Sequence, residues 1–301
     1  MNAVRLPPAE SAASDESGGS SAREAFLFVQ ALAAELSTGR VDLPGFPEIV
    51  ARVRHALADE RVTADKVARV VGAEPVIAAR LMRMASSAAL NPAGNPVADL
   101  RSAIHRVGLN AVRSATLAFA VHQLRRSATL RGLEKPLGVL WQRSVLVASL
   151  CYVIARRRTA VSPDSALLAG LLHGIGRLYI LTRASRHRAL FADVGSFQAI
   201  ERDWHLGIAC ALLEHWGIAG EIVEAVRESE DYAREPRGPI GLSDVLVTGC
   251  IIAVHQGQPD LLDARLKSVR PAARLELDRA ACEVLIGESG QELAALREAL
   301  S

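Results

Sequence analysis

The chain is short of aromatic side chains, with 3 Trp, 3 Tyr and 6 Phe in 301 residues. Half of it is apolar, so Ala, Leu, Val and Ile must fill the core. Such a mixture favours packed helices over strands. Lysine is scarce too, and stands only at Lys66, Lys135 and Lys267. The dominance of Arg reads as a coding bias before it reads as phosphate recognition. Neither sign of charge prevails: Lys+Arg 35 against Asp+Glu 33 leaves +2. That balance argues against a general nucleic-acid binder. Cysteine occurs only at Cys151, Cys210, Cys250 and Cys282, with no CxxC pair, which excludes a zinc ribbon or dithiol motif. Each lies in apolar helical text, as a small buried hydrophobe would, and a reduced, cytoplasmic setting is expected. The opening MNAVRLPPAESAASDESGGS lacks the apolar stretch of a signal peptide. No uncharged run reaches the ~18 residues a membrane helix needs. The best candidate, Gly138 to Ala155, is broken by Gln142 and Arg143, so no membrane association is expected.

What is there is helical periodicity. Residues 1–22, rich in Ser, Gly and acid, have none and are expected to be disordered. Helical text starts near Arg23, with Phe26, Val29, Leu32 and Leu36 on one face. Leu43-Pro44-Gly45-Phe46-Pro47 forces a bend. Thr63 and Asp99 are placed as N-caps, Pro75 as a first-turn residue, and Gly108 as a helix stop before Asn110 starts the next. A polar joint, Arg125 to Pro136, divides the chain. Beyond it a long helix carries Trp141 and Tyr152 and ends at Arg156-Arg157-Arg158, read as a solvated helix end. Ser162-Pro163 opens the helix that carries Gly170 and His173. Later helices hold Trp204 to Trp216, Ala219 to Glu230 and Ile240 to His255. A charged, helical tail follows from about Asp260. The expected fold is all-α, with two packed helical lobes: 23–135 and 136–256, then an extension over 257–301.

The run Leu168-Ala169-Gly170-Leu171-Leu172-His173-Gly174-Ile175-Gly176 resembles the AGLLHDIG core of HD-type metal phosphohydrolases. Its setting resembles one branch of that superfamily, the HDOD family. Leu43-Pro44 with Pro47 is similar to the family's LPxxP. Glu74-Pro75, then Arg80-Leu81-Met82-Arg83-Met84-Ala85-Ser86-Ser87-Ala88, resembles its DP…RLLRLANSA. Ala103-Ile104 with Val107-Gly108, Leu140-Trp141 with Ser144, and His205 with Gly207, Leu212-Leu213 and Trp216 follow in the family's order. The resemblance spans about residues 40 to 256.

The departures bear on chemistry. A working HD site gathers imidazoles and carboxylates around one or two metals and leaves a position for water. Here His173 stands, but Gly174 replaces the Asp. Arg143 stands where metal-bearing relatives have a His. Glu228-Ser229-Glu230 replaces an HH pair, and Thr248-Gly249 lies where a last Asp is sought. One imidazole cannot fix a catalytic metal, and Arg143 would repel it. No catalytic residue, metal or cofactor is therefore expected.

Binding candidates are the remnant of that site, Arg143, His173, Gly174, Gly176 and Arg177, with His205 and Trp216 behind them. Each has a plainer reading. His173 reads more simply as a helix-end histidine bonded to backbone, the glycines as helix-crossing points, and Arg143 as the partner of an acid such as Glu201. Trp141 and Trp216 read as core. His205, Glu214 and His215 do not form a metal cluster, since a spacing of nine does not stack side chains on a helix.

The resemblance implies a bacterial signal-transduction role without catalysis. The act would be docking of a signalling protein or a small anionic ligand, such as a nucleotide, in the groove between lobes. Two alternatives stay open: a phosphohydrolase with a rearranged metal site, and a nucleic-acid-associated regulator. The first needs new carboxylates near His173, and Asp164, nine residues upstream, is not on the adjoining turn. The expectation for metal is direct: untagged protein purifies without stoichiometric Zn, Fe or Mn. Metal analysis checks it, and one bound metal per chain, lost on mutating His173, contradicts it.

Overall fold

A computed structural model describes residues 17–38, 48–59, 61–87, 89–91, 93–127, 130–191 and 193–300. Residues 1–16 and the Leu43–Pro47 motif lie outside it. The described residues contain helices and no strand. Helix α1 covers Ser17–Thr38, so residues 17–22, expected to be disordered, are helical. Helices α2 (Glu48–Leu57), α3 (Ala64–Gly72), α4 (Pro75–Ser86) and α5 (Leu100–Arg125) follow. The expected caps are in place. Thr63 accepts from the Lys66 amide at 3.3 Å, and Asp99 from the Ser102 amide at 2.7 Å. Pro75 opens α4. Gly108, at φ 75°, kinks α5, a conformation that favours glycine.

The second half begins with α6 (Glu134–Arg158) and α7 (Pro163–Leu172), capped by Ser162. These two pack together most closely of all. A Cβ on Gly170 would stand 2.4 Å from the Ala148 Cα, so only glycine lets the helices cross there. Helix α8 (Ile175–Ala184) starts one short turn later. A 3-10 turn, α9 (Val194–His215), α10 (Gly220–Arg227) and α11 (Leu242–His255) complete this half. The α5 helix packs on α7, and one continuous apolar core runs through both halves. Glu134–Arg158 and Pro163–Ala184 are long and apolar enough to cross a membrane, but most of each is buried within the protein, as core helices are. All four cysteines are free and buried.

The ends of the chain depart from the expected layout. Helix α1, assigned by sequence to the first lobe, packs instead on α9 and the 3-10 turn of the second. Its Glu35 meets Arg183 at 2.8 Å and accepts from the Tyr179 hydroxyl. The extension forms α12 (Pro259–Ser268), α13 (Arg270–Ala273), α14 (Arg279–Glu288) and α15 (Gly290–Leu300). It folds back so that α15 covers α6, α4 and α5. Arg156 and Arg157 are exposed, as expected of a helix end, but they are not free. Both pair with Glu292 of α15, Arg157 at 3.5 Å. Arg156 also donates to the Ala89 carbonyl at 2.8 Å, and buried Arg80 to the Leu300 carbonyl at 2.8 Å. Glu292 is nearly buried between two cations, so neutralising it leaves charge without its counterion. Glu292→Gln is expected to lower unfolding free energy by about 1–3 kcal/mol. Arg158→Ala, at a side chain with no ion pair to a described residue, should leave the urea midpoint unchanged.

Candidate functional site

The remnant of the HD motif lies where α7 ends. His173 is the C-cap of α7, and Gly174 is the first residue of the turn into α8. The His173 Nδ1 lies 2.6 Å from the Gly170 carbonyl oxygen. A carbonyl can only accept, so Nδ1 carries the proton. The ring is 3% exposed. Burial, with the nearby charges of Arg143 and Arg177, outweighs that hydrogen bond and lowers its pKa from 6.5 to about 4. His173 is therefore neutral near pH 7. Its Nε2 is a bare lone pair with no hydrogen bond to any described residue.

Beside it stands a filled cation site. Arg177, in the first turn of α8, donates from Nη2 to Glu230 Oε1 at 2.7 Å. Its Nε is 3.9 Å from Glu201, and Nη2 is 3.0 Å from His205 Nε2. That same Nε2 lies 3.2 Å from Glu230 Oε2. One nitrogen cannot both accept from Arg177 and donate to Glu230. Buried Nδ1 of His205 has no partner, and a bare lone pair there costs less than an orphan N–H. The network thus assigns the proton to Nε2, which donates to Glu230. Burial pushes the Glu230 carboxyl up, but the His205 hydrogen bond and the Arg177 charge hold it well below the usual range. Burial raises Glu201 instead.

Arg143 projects from α6 and is partly buried. It makes no hydrogen bond or ion pair with any described residue, and Glu201, its expected partner, is taken by Arg177. Its charge still bears on His173, Glu201, Tyr232 and Cys250, so it borders the same site. Burial raises the Cys250 thiol to about 12, which leaves it protonated and inert.

Gly174 and Gly176 do not leave room for a ligand, which corrects their place among the candidates. A Cβ on Gly176 would stand 1.8 Å from the His205 carbonyl oxygen, so its missing side chain is filled by the α9 backbone. One on Gly174 would meet Ser144 Oγ at 2.8 Å. Gly249 abuts Cys151 in the same way. These are helix-crossing residues, as the plainer reading had it. Trp216 stands apart from this site, under the Arg54 guanidinium at 5.7 Å. Glu214 pairs with Arg227 at 3.1 Å and has no part in it. Two members of the cluster, Glu201 and His205, stand four apart on one helix face, a spacing visible in sequence. Their cation comes from another helix, and no spacing announces it.

The donor set does not fit a catalytic metal. Glu201, His205 and Glu230 converge on the Arg177 guanidinium, which occupies the position of a counter-cation. Among the described residues, no three His, Cys, Asp or Glu side chains are grouped to hold a metal. What remains open is an acceptor, His173 Nε2, beside a cation without a counterion, Arg143.

A family model for the HDOD domain matches residues 43–232, leaving α1, α11 and the α12–α15 extension outside. No curated protein matches the sequence. Among solved structures, a protein from Shewanella amazonensis SB2B, provisionally named a metal-dependent phosphohydrolase, superposes with TM-score 0.73 at 23% identity. The match covers 93% of this chain and 100% of that one. An HDOD domain protein of unknown function from Geobacter sulfurreducens gives TM-score 0.58 at 23% identity, over 90% and 96% of the two chains. A protein from Marinobacter aquaeolei VT8, provisionally named a signal transduction protein, gives 0.54 at 19%, over 95% and 65%. These likenesses show a shared fold.

The His173 shift has a measurable sign. Its folded pKa lies below its unfolded one, so between pH 6.5 and 4 the unfolded chain binds more protons. The contribution is fully present above pH 6.5 and is lost as pH falls toward 4. His173→Gln should flatten the decline of melting temperature over that interval. A decline as steep as that of the wild type would place the titration elsewhere.

Proposed function

The chain belongs to the HDOD family, and from that premise we propose that it is a non-catalytic, cytoplasmic regulator that docks an acidic group of a signalling partner at Arg143 and His173. The observation that carries this reading is the contrast between two arginines in one site. Arg177 donates to Glu230 and has Glu201 as a second counterion at 3.9 Å. Arg143 borders the same groups with no counterion among the described residues. A guanidinium grips a carboxylate or phosphate through two parallel hydrogen bonds, and a partly buried one gains more from doing so than a solvated one. His173 Nε2 adds a neutral acceptor, which suits a ligand group bearing a hydroxyl or N–H next to its charge. Catalysis is not part of this reading, because the carboxylates that would hold a metal already hold Arg177. The signalling role rests on the family and agrees with the provisional name of the Marinobacter protein.

Replacing Arg143 by Ala in the native host tests it. A charge-assisted hydrogen bond is worth about 1.5–3 kcal/mol, so partner recovery should fall by roughly tenfold or more. Protein abundance and melting temperature should stay unchanged, since Arg143 makes no hydrogen bond or ion pair with a described residue. Recovery at the wild-type level, or a loss matched by unfolding, would show that the docking surface lies elsewhere.

A further inference from the structure

The opposite face of α7 borders a second feature that the HD motif does not use. Between the lobes lies a cavity of about 50 Å³. Its walls come from α2 (Val53, Leu57), α5 (Leu117), α7 (Leu168, Leu172) and the turn after α9 (Ile218), and are mostly apolar, with Arg54 and Thr116 among them. Arg113 of α5 also lines it. This guanidinium is half-buried, and burial disfavours its charge. It forms no ion pair with a described acid. Nη1 donates to Asn110 Oδ1 at 2.9 Å, and Nη2 to the Leu57 carbonyl at a long 3.4 Å. Asn110 passes on to Ser165 at 3.3 Å, and Ser165 to Glu221 at 3.3 Å. The nearest acid along this chain is thus three hydrogen bonds away. An arginine has five N–H donors, so most of those on Arg113 have no acceptor among the described residues.

We propose that this cavity binds a small carboxylate with a short aliphatic body. The apolar walls take the hydrocarbon, and the free N–H groups of Arg113 take the charge in paired hydrogen bonds. A water needs about 10–15 Å³ of such space, so the cavity holds the equivalent of about four waters, which limits the aliphatic part to a few carbons. An anion without an apolar body would leave the walls wetted. An alcohol of the same length would leave Arg113 uncompensated. The site shares no residue with the one at Arg143 and does not depend on that reading. Because its walls belong to both lobes, a bound acid would hold them together.

Butyrate is the probe, with 1-butanol and inorganic phosphate beside it, measured by calorimetry and by thermal shift on the full chain. Butyrate is expected to bind and raise the melting temperature, as any ligand selective for the folded state does. Butanol and phosphate should each bind at least about tenfold more weakly. Arg113→Gln should weaken butyrate by about tenfold or more. Ala58→Leu, from an exposed rim position, should block entry without disturbing the core. It keeps the test decisive if Arg113→Gln folds poorly. No butyrate binding, equal binding of phosphate, or undiminished binding by Ala58→Leu would each overturn the proposal.

Discussion

The Arg177 guanidinium, paired with Glu230 and Glu201 beside His205, fixes what the rest of this site can be. Two carboxylates and an imidazole brought together in a low-dielectric interior need a positive charge, and here the chain supplies it from α8. A fixed guanidinium satisfies the acids in one geometry and leaves no open coordination position. It cannot acidify a water as a metal does. It also ties three segments together: α8, α9 and the loop after α10. The close approach at Gly176 makes this possible, because it brings the α8 backbone against His205 and sets Arg177 one residue further on, over α9.

Once that charge is accounted for, Arg143 becomes the informative residue. Two cations enter one site, and the available acids meet only one of them. An arginine bordering buried groups with no counterion is electrostatically incomplete, and a passing anion completes it. His173 contributes through the opposite property. Its ring is kept neutral and its tautomer fixed by the Gly170 carbonyl, so it presents an acceptor and not a second positive charge.

The sequence carried more of the fold than of the site. Helix starts at Thr63, Pro75, Asp99 and Ser162 were legible because capping and proline chemistry act within three residues. The family was legible because its motifs come in a fixed order. The identity of Arg177's partners was not. Glu230 was noted only as a replacement for a lost ligand, and Glu201 was matched to the wrong arginine. Both errors have one cause: charge pairing across helices depends on crossing geometry, which a linear pattern does not encode. The same limit hid the docking of α1 on the second lobe. It also hid the engagement of Arg156 and Arg157, whose acid lies more than a hundred residues away.

That return of α15 has a consequence for the order in which the chain acquires its shape. Arg80 and the Leu300 carbonyl that receives it are 220 residues apart. Loops of that length close slowly compared with local helix pairing. The finished surface of α4, α5 and α6 therefore depends on a segment far along the chain: Arg80 takes its acceptor, and Arg156 and Arg157 their acid, from α15. Release of α15 would bare all three guanidiniums at once.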